Sequence, residues 1–106
     1  MLITSGALFS KSDCTLIRAG KFFQYKNANQ LNSTIIREDS TQYEINSETG
    51  DTSIWKIHWT DDCTFTCAYF SGLKFSSEPE SDFYNHLIII FKIKKITDDY
   101  YCFDAD

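Results

Sequence analysis

The sequence predicts an all-β domain, an antiparallel meander of roughly six to eight strands that curls into a small barrel or half-barrel of the lipocalin-like kind. Three observations lead to this prediction. Short segments alternate between apolar and polar residues, turn-forming residues separate them, and no long segment shows helical periodicity. Aromatic residues make up 16% of the chain, and they suit a half-buried pleated surface. A single curled sheet covers such a face by closing on itself, and a two-sheet sandwich is the alternative.

The predicted strands follow one another along most of the chain. Asp39-Ser40 is typical of a two-residue hairpin turn, and Gly50 can supply the positive φ of the next tight turn. Residues 26–32 are rich in Asn and Gln and predict a loop. The predicted strands are 20–25, 34–38, 41–46, 53–59, 63–70, 87–96 and 100–103.

The remaining segments are less regular. Residues 87–91 are apolar on both faces, which predicts a central strand covered on both sides. Residues 71–85 contain the only proline, Pro79, and predict an exposed connection with one helical turn near 81–85. Residues 1–13 show no strong pattern and are expected to form a flexible N-terminal arm. A chain of 106 residues forms one domain, so we assign 1–106 to a single β domain.

The charge and hydropathy of the chain argue against two classes of partner. The formal net charge is −5, and the only dense basic cluster is Lys92, Lys94 and Lys95. Nucleic-acid binding needs a basic face that neutralises phosphates, so no nucleic-acid partner is predicted. No segment has the length of a membrane-spanning helix, and the N-terminal apolar run lacks the basic region of a signal peptide.

Four cysteines, Cys14, Cys63, Cys67 and Cys102, are disulfide candidates and allow three pairings. On an intact strand, Cys63 and Cys67 would lie about 13 Å apart, whereas the Cα atoms of a disulfide lie within about 7 Å, so this pair is excluded. Cys14–Cys63 with Cys67–Cys102 is the first choice, and Cys14–Cys67 with Cys63–Cys102 is the second. The alternative is buried free thiols, which behave as small apolar side chains.

The sequence predicts no catalytic residue, no metal site and no cofactor. Cys63 and Cys67 with His58 or His86 have some resemblance to a zinc site, but two cysteines four apart on a strand do not easily share a metal. Neither histidine lies in a recognised nucleophile–base motif. Adjacent carboxylates occur only in predicted turns, where they point apart and are hydrated.

The candidate ligand-binding residues are one cation and a set of aromatic side chains. If the aromatic residues line a cavity, they could hold an apolar or planar ligand; if they fill a small barrel, they are core, and the core interpretation is favoured. Arg37 is either a surface cation, which we favour, or a buried one that pairs with Glu44 across a hairpin. The aromatic set is Tyr43, Trp55, Trp59, Phe65 and Tyr69, and the candidate ligand-binding residues are Arg37, Tyr43, Trp55, Trp59 and Tyr69.

A series of short motifs occurs in a characteristic order. The motifs are Asp13-Cys14, Gly20-Lys21-Phe22, Ile35-Ile36-Arg37, Gln42-Tyr43-Glu44, Thr49-Gly50 and Trp55-x-x-x-Trp59-x-x-Asp62-Cys63. Over residues 13–70 the series resembles a family of small uncharacterised secreted bacterial proteins. That resemblance implies a β-meander and a secreted or periplasmic location, and it implies no particular activity. Gly20-Lys21-Phe22 also resembles the Gly-x-Trp start of lipocalins, with Phe in place of Trp.

Three functions are compatible with these observations. The leading hypothesis is an exported, non-enzymatic barrel-like domain that binds a small apolar ligand or a protein partner. The second is a structural or protein-interaction module with a filled core, acting through a sheet edge or residues 71–85. The third is a small hydrolase, which would need His58 or His86 beside a nucleophile in a cleft. A cavity lined by Trp55, Trp59 and Tyr69 would favour the first hypothesis, and a solid core the second.

Overall fold

The computed structural model describes residues 2–5, 14–27, 29–97 and 100–106. These residues form one antiparallel meander in which each strand pairs with its neighbour in the chain, and the first strand also pairs with the last, so that the sheet closes into a barrel. The prediction of an all-β meander curled into a barrel is therefore confirmed. The strands are β1 Leu2–Ser5, β2 Gly20–Asn27, β3 Gln30–Glu38, β4 Thr41–Asn46, β5 Thr52–Asp61, β6 Thr64–Ser71, β7 Ile88–Ile96 and β8 Tyr100–Ala105.

The barrel is closed by β1, where the sequence predicts a flexible arm. Leu2–Ser5 pairs with β2 on one side and with β8 on the other. Four residues are too few to show the alternation of a strand, but β2 and β8 would otherwise present unpaired backbone groups that β1 satisfies. The rest of the predicted arm, residues 1 and 6–13, lies outside the described residues.

The hairpin turns are tight. Asp39-Ser40 forms the predicted two-residue turn, with Asp39 at a φ of 35° and Glu38 paired with Thr41. Gly50 has a φ of 76°, as its predicted turn requires. The predicted loop over 26–32 is wrong, because β2 and β3 continue until Asn27 pairs with Gln30. The Asn and Gln side chains that suggested a loop belong largely to the two strands.

One end of the barrel is covered by a short 3-10 helix, Cys14–Ile17, that precedes β2. Because β2 begins at this end, the β3–β4 and β5–β6 turns lie there too. Cys14 forms a disulfide with Cys63 of the β5–β6 turn, with their Cα atoms 5.3 Å apart. We call this the closed end. The first-choice pairing is thus confirmed for Cys14–Cys63.

The second bridge of that pairing, Cys67–Cys102, is wrong, because both cysteines are free. Cys67 is 1% exposed and lies on β6, facing the interior. Cys102 lies on β8, between the inward-facing Tyr101 and Phe103, and therefore faces outward. With β7 between the two strands and the side chains on opposite faces, no disulfide can form.

The opposite end is covered by one helix, α1 Glu78–Asn85, which lies between β6 and β7. It is longer than the single turn expected over 81–85. Ser77 caps it by accepting a hydrogen bond from the Glu80 N–H at 3.3 Å, and Pro79 lies in its first turn. Before it, Gly72 has a φ of 107°, and a Cβ there would collide with the carbonyl oxygen of Thr52. We call this the α1 end.

Strand β7 is covered on one face only, so the prediction of a doubly covered strand is wrong. Ile89 and Phe91 face the interior, whereas Ile88 is 62% and Ile90 39% exposed. A closed barrel has a single interior, and nothing in the described part of the chain packs over the outer face of β7 at these two positions. An apolar run is therefore compatible with a strand that leaves half of its side chains in solvent.

Removing the disulfide should destabilise the domain strongly. Cys14 and Cys63 are 49 residues apart in sequence. In the chain-entropy model, a loop of that length corresponds to roughly 4 kcal/mol. The double variant Cys14→Ala/Cys63→Ala should lose about that much free energy of unfolding, measured by urea denaturation. Cys102→Ala, which removes an outward-facing free thiol, is the control and should change little. A loss below about 1 kcal/mol in the double variant would contradict the expectation.

Two isoleucines test the orientation of the barrel wall. Ile57 on β5 is 5% exposed and belongs to the core, whereas Ile88 on β7 is 62% exposed. Ile57→Ala should cost about 2–5 kcal/mol of unfolding free energy, because it leaves a cavity. Ile88→Ala should stay within about 0.5 kcal/mol, as surface substitutions do. Equal losses in urea denaturation would show that the outer face of β7 is buried in solution.

Candidate functional site: the barrel interior

The barrel contains a cavity of about 410 Å³ between the closed end and the α1 end. Its two walls differ in chemistry. Strands β2 to β5 contribute polar side chains. Strands β6 to β8, with the connection between α1 and β7, contribute apolar ones. The polar wall consists of Gln24, Arg37, Gln42, Glu44 and Ser53, and the apolar wall of Phe65, Leu87, Ile89, Phe91 and Phe103. Ile35, Trp55, Leu73, Tyr84, Tyr101 and Ala105 complete the lining.

Arg37 lies at the floor of the cavity, next to the closed end. Its side chain is 2% exposed. Its guanidinium donates from Nε to Gln42 Oε1 at 3.0 Å, from Nη1 to the Ile17 carbonyl at 2.7 Å and from Nη2 to Tyr101 Oη at 3.1 Å. These hydrogen bonds connect β3 to β4, to the 3-10 helix and to β8.

The surface interpretation of Arg37 is wrong, and the alternative is right about burial but wrong about the ion pair. The side chain is buried, so it is not a surface cation. It does not pair with Glu44, because the tight hairpin sets Arg37 opposite Gln42 and Glu44 opposite Ile35. Glu44 therefore lies two residues further toward the α1 end, about 7 Å along the strand.

Aromatic rings also surround the positive charge of Arg37. Its guanidinium carbon lies 5.1 Å from the ring centre of Phe22, 4.9 Å from that of Phe65 and 6.0 Å from that of Tyr101. Such contacts favour a buried cation. Among the described residues, the ion pairs are Arg18–Asp62 and Lys94–Asp104, and neither includes Arg37.

Two further titratable groups respond to burial in the barrel. Burial raises the pKa of the Glu44 carboxyl above its ordinary value of 4.5. Burial also raises the pKa of the Cys67 thiol to about 12, against the opposing influence of the Arg37 charge. Cys67 is thus protonated at neutral pH and behaves as a small core side chain rather than as a nucleophile.

Aromatic rings form the α1 end of the cavity. Tyr69 lies 5.4 Å from Trp55, 5.6 Å from Phe75 and 5.8 Å from Tyr84, measured between ring centres. The Tyr69 hydroxyl accepts a hydrogen bond from the backbone N–H of Leu73 at 2.9 Å. These contacts hold the segment before α1, and α1 itself, over the barrel.

The structure separates the predicted ligand-binding residues. Arg37 and Trp55 line the cavity. Tyr69 lies behind the lining and supports Trp55 and Tyr84. Trp59 lies beneath Arg18, whose guanidinium carbon is 4.7 Å from the ring centre. Tyr43 faces outward, because both its neighbours on β4 line the cavity.

Several lining residues were not anticipated from the sequence. Gln42 and Glu44 could have been found from the Asp39-Ser40 turn, which fixes the register and puts both on the face of Arg37. Leu73 and Tyr84 lie in a segment with little periodicity, so no sequence signal marks them as lining residues.

The histidines of the hydrolase hypothesis are both exposed. His58 lies on the outer face of β5 and His86 follows α1, where its Nδ1 is 2.8 Å from the Asp82 carbonyl oxygen. Within the described ranges, no three His, Cys, Asp or Glu side chains come together in a way that could hold a metal ion. In the same part of the chain, no helix has the length and apolar character needed to cross a membrane.

Comparison with protein-family models, with curated proteins and with solved structures gave no match to this chain.

The half-buried Glu44, whose carboxyl pKa is raised by desolvation, should make stability depend on pH. Because its pKa is raised in the folded state, the unfolded chain loses this proton at a lower pH than the folded chain does. The Glu44 carboxyl therefore lowers the free energy of unfolding as the pH rises above 4.5, the ordinary pKa of the group. This loss of stability is absent at a pH well below 4.5. Glu44→Gln should unfold at a higher temperature than the parent at pH 7, with the difference vanishing near pH 3.

The matched control for this measurement is Glu48→Gln. Glu48 is an exposed residue in the β4–β5 turn, and its replacement should leave the unfolding temperature at pH 7 close to that of the parent. A Glu44→Gln variant that is less stable than the parent at pH 7 would contradict the expectation, since it would show that the ionised carboxylate is stabilised inside the barrel.

Proposed function

We propose that this chain is an exported, non-enzymatic β-barrel domain that binds a small apolar ligand in its interior. The observation that carries the proposal is the cavity of about 410 Å³. Small-molecule sites typically have volumes of about 300–1,000 Å³, with mostly apolar walls and a few placed polar groups. The wall formed by β6 to β8 supplies the apolar surface.

The chemistry of the lining supports a ligand with both an apolar and a polar part. Phe65 and Phe91 stack at 4.9 Å between ring centres, and both contribute apolar lining. Opposite them, the polar wall offers donors and acceptors that can fix an orientation. Trp55 Nε1 already donates to Ser53 Oγ at 2.9 Å, so the only polar group of this indole has its partner within the wall.

The disulfide supports the export part of the proposal. Structural disulfides form and persist in oxidising compartments and are rare in reducing ones. The Cys14–Cys63 bridge fastens the 3-10 helix to the barrel at the closed end. A secreted or periplasmic location fits such a bridge.

A protein-interaction module is the second candidate, and one observation favours it. Phe70 on β6 is 59% exposed, and Ile88 and Ile90 on the neighbouring β7 are 62% and 39% exposed. Exposed apolar side chains on neighbouring strands are a common feature of protein-binding surfaces.

Titration with N-phenyl-1-naphthylamine, a neutral apolar fluorophore, tests the leading proposal. The probe should bind to the parent protein with a rise in fluorescence. Ile89→Trp, which places a large side chain in the cavity, should weaken binding by roughly tenfold or more, because it removes the space that the probe occupies.

Ile88→Trp is the matched control, because Ile88 precedes Ile89 on the same strand and faces outward. It should bind the probe as the parent does. Equal binding by both variants would place the probe on the outer surface, and absence of binding by the parent would contradict the proposal outright. Native mass spectrometry of protein purified from its own host would then identify any molecule that the cavity retains.

A further inference from the structure

The charge of Arg37 is unusual in its surroundings. The guanidinium is buried, lines the cavity, and has no carboxylate partner within 4.0 Å among the described residues. Its three hydrogen-bond acceptors are a side-chain amide, a backbone carbonyl and a hydroxyl, all of them neutral. A buried charge without an opposite charge is costly, even when neutral groups solvate it.

The hydrogen-bond capacity of Arg37 is also incompletely used. A guanidinium carries five N–H groups. Three donate to Gln42, Ile17 and Tyr101, which leaves one N–H on each terminal nitrogen without an acceptor in the described part of the chain. A carboxylate in a bidentate pair accepts two N–H groups, and two remain here, one on each terminal nitrogen.

The position of Arg37 determines how a ligand would lie. The guanidinium is at the floor, above the 3-10 helix, and the apolar wall of Phe65, Ile89 and Phe91 rises from it toward the α1 end. A molecule with a head group at Arg37 would therefore direct its apolar part along that wall toward Tyr84.

We propose that the ligand is an acidic amphiphile, a molecule with one carboxylate head and an apolar body, and that Arg37 and Gln42 bind its head at the floor of the barrel. This inference rests on the proposed function and specifies the class of ligand. The carboxylate supplies the charge that Arg37 lacks. The Gln42 side chain also lines the cavity, and its amide, which already accepts from Arg37 Nε, has N–H groups of its own as further donors.

Glu44 places a negative charge on the same cavity wall as Arg37. It lies on the same wall, about 7 Å from the floor along β4. Its carboxylate repels an anionic head group, so it weakens the binding that Arg37 strengthens. Arg37 and Glu44 should therefore affect the binding of an anion in opposite directions.

The experiment compares three molecules that differ only in the head group: decanoate, decanol and decylammonium. Each displaces N-phenyl-1-naphthylamine from the parent protein at pH 7, below its micelle concentration. Decanoate should bind roughly tenfold or more tightly than decanol, the factor that a charge-assisted hydrogen bond supplies, and decylammonium should bind most weakly. Decanoate and decanol binding with equal affinity would overturn the inference and leave the apolar cavity of the proposed function intact.

Three variants assign the effect to residues. Arg37→Met should bring decanoate to the affinity of decanol, whereas Glu44→Gln should tighten decanoate severalfold and leave decanol unchanged. Arg18→Met removes an arginine at the closed end that does not line the cavity, and it should keep the preference of the parent. A preference for decanoate that survives in a folded Arg37→Met variant would overturn the assignment to Arg37.

The parent series remains decisive if Arg37→Met does not fold, because the comparison of head groups needs no variant. Failure of the fluorophore and of all three amphiphiles to bind would instead contradict the proposed function itself, and with it this inference.

Discussion

The buried guanidinium of Arg37 is the constraint on which much of the barrel depends. It lies where β3, β4, β8 and the 3-10 helix meet, and its hydrogen bonds link all four. Each of these hydrogen bonds gives a buried acceptor its donor. The rings of Phe22, Phe65 and Tyr101 surround the charge. A charged side chain whose burial costs free energy is thus found where three strands and the 3-10 helix meet. Its charge remains available to the cavity, because the acceptors are neutral.

The same region shows why the interior is not a solid core. Among the described residues, the buried polar side chains are Ser33, Arg37, Gln42 and Ser53, and all of them lie on β3, β4 or β5. The cavity lies between the wall that carries these polar side chains and the facing apolar wall, and the Arg37 guanidinium packs against Phe65 at its floor.

The fold class could be predicted because strand alternation and turn chemistry agree along most of the chain. The Asp39-Ser40 and Gly50 turns fix the hairpins almost without reference to the rest of the molecule. Closure by β1 could not be predicted, since Leu2–Ser5 becomes a strand only through the edges of β2 and β8. Spacing excludes a Cys63–Cys67 bridge but leaves Cys14 free to pair with either cysteine, and the outward position of Cys102 depends on the register of β8 with β7.

The site was harder to predict because β4 inverts the usual rule. Apolar residues of a strand normally face the interior, which would place Tyr43 and Ile45 inside the barrel. The register instead turns Gln42 and Glu44 inward. Local pattern and global fold therefore conflict on β4. Such conflicts are typical of functional sites, where residues that the function needs lower the stability of the fold.

The two ends of the barrel are held by interactions of different strength, and this difference determines where the interior can communicate with solvent. The closed end is fixed by a disulfide, by the hydrogen bond from Arg37 to the Ile17 carbonyl and by the packing of Trp59 beneath Arg18. At the other end α1, whose residues the structure describes in full, buries none of them and rests on the barrel through Tyr84 and its aromatic neighbours. Displacing α1 breaks ring contacts and no covalent or charged bond among the described residues. The α1 end is therefore the less strongly held of the two ends among the described residues, and it lies opposite the guanidinium, with Glu44 on the wall between them.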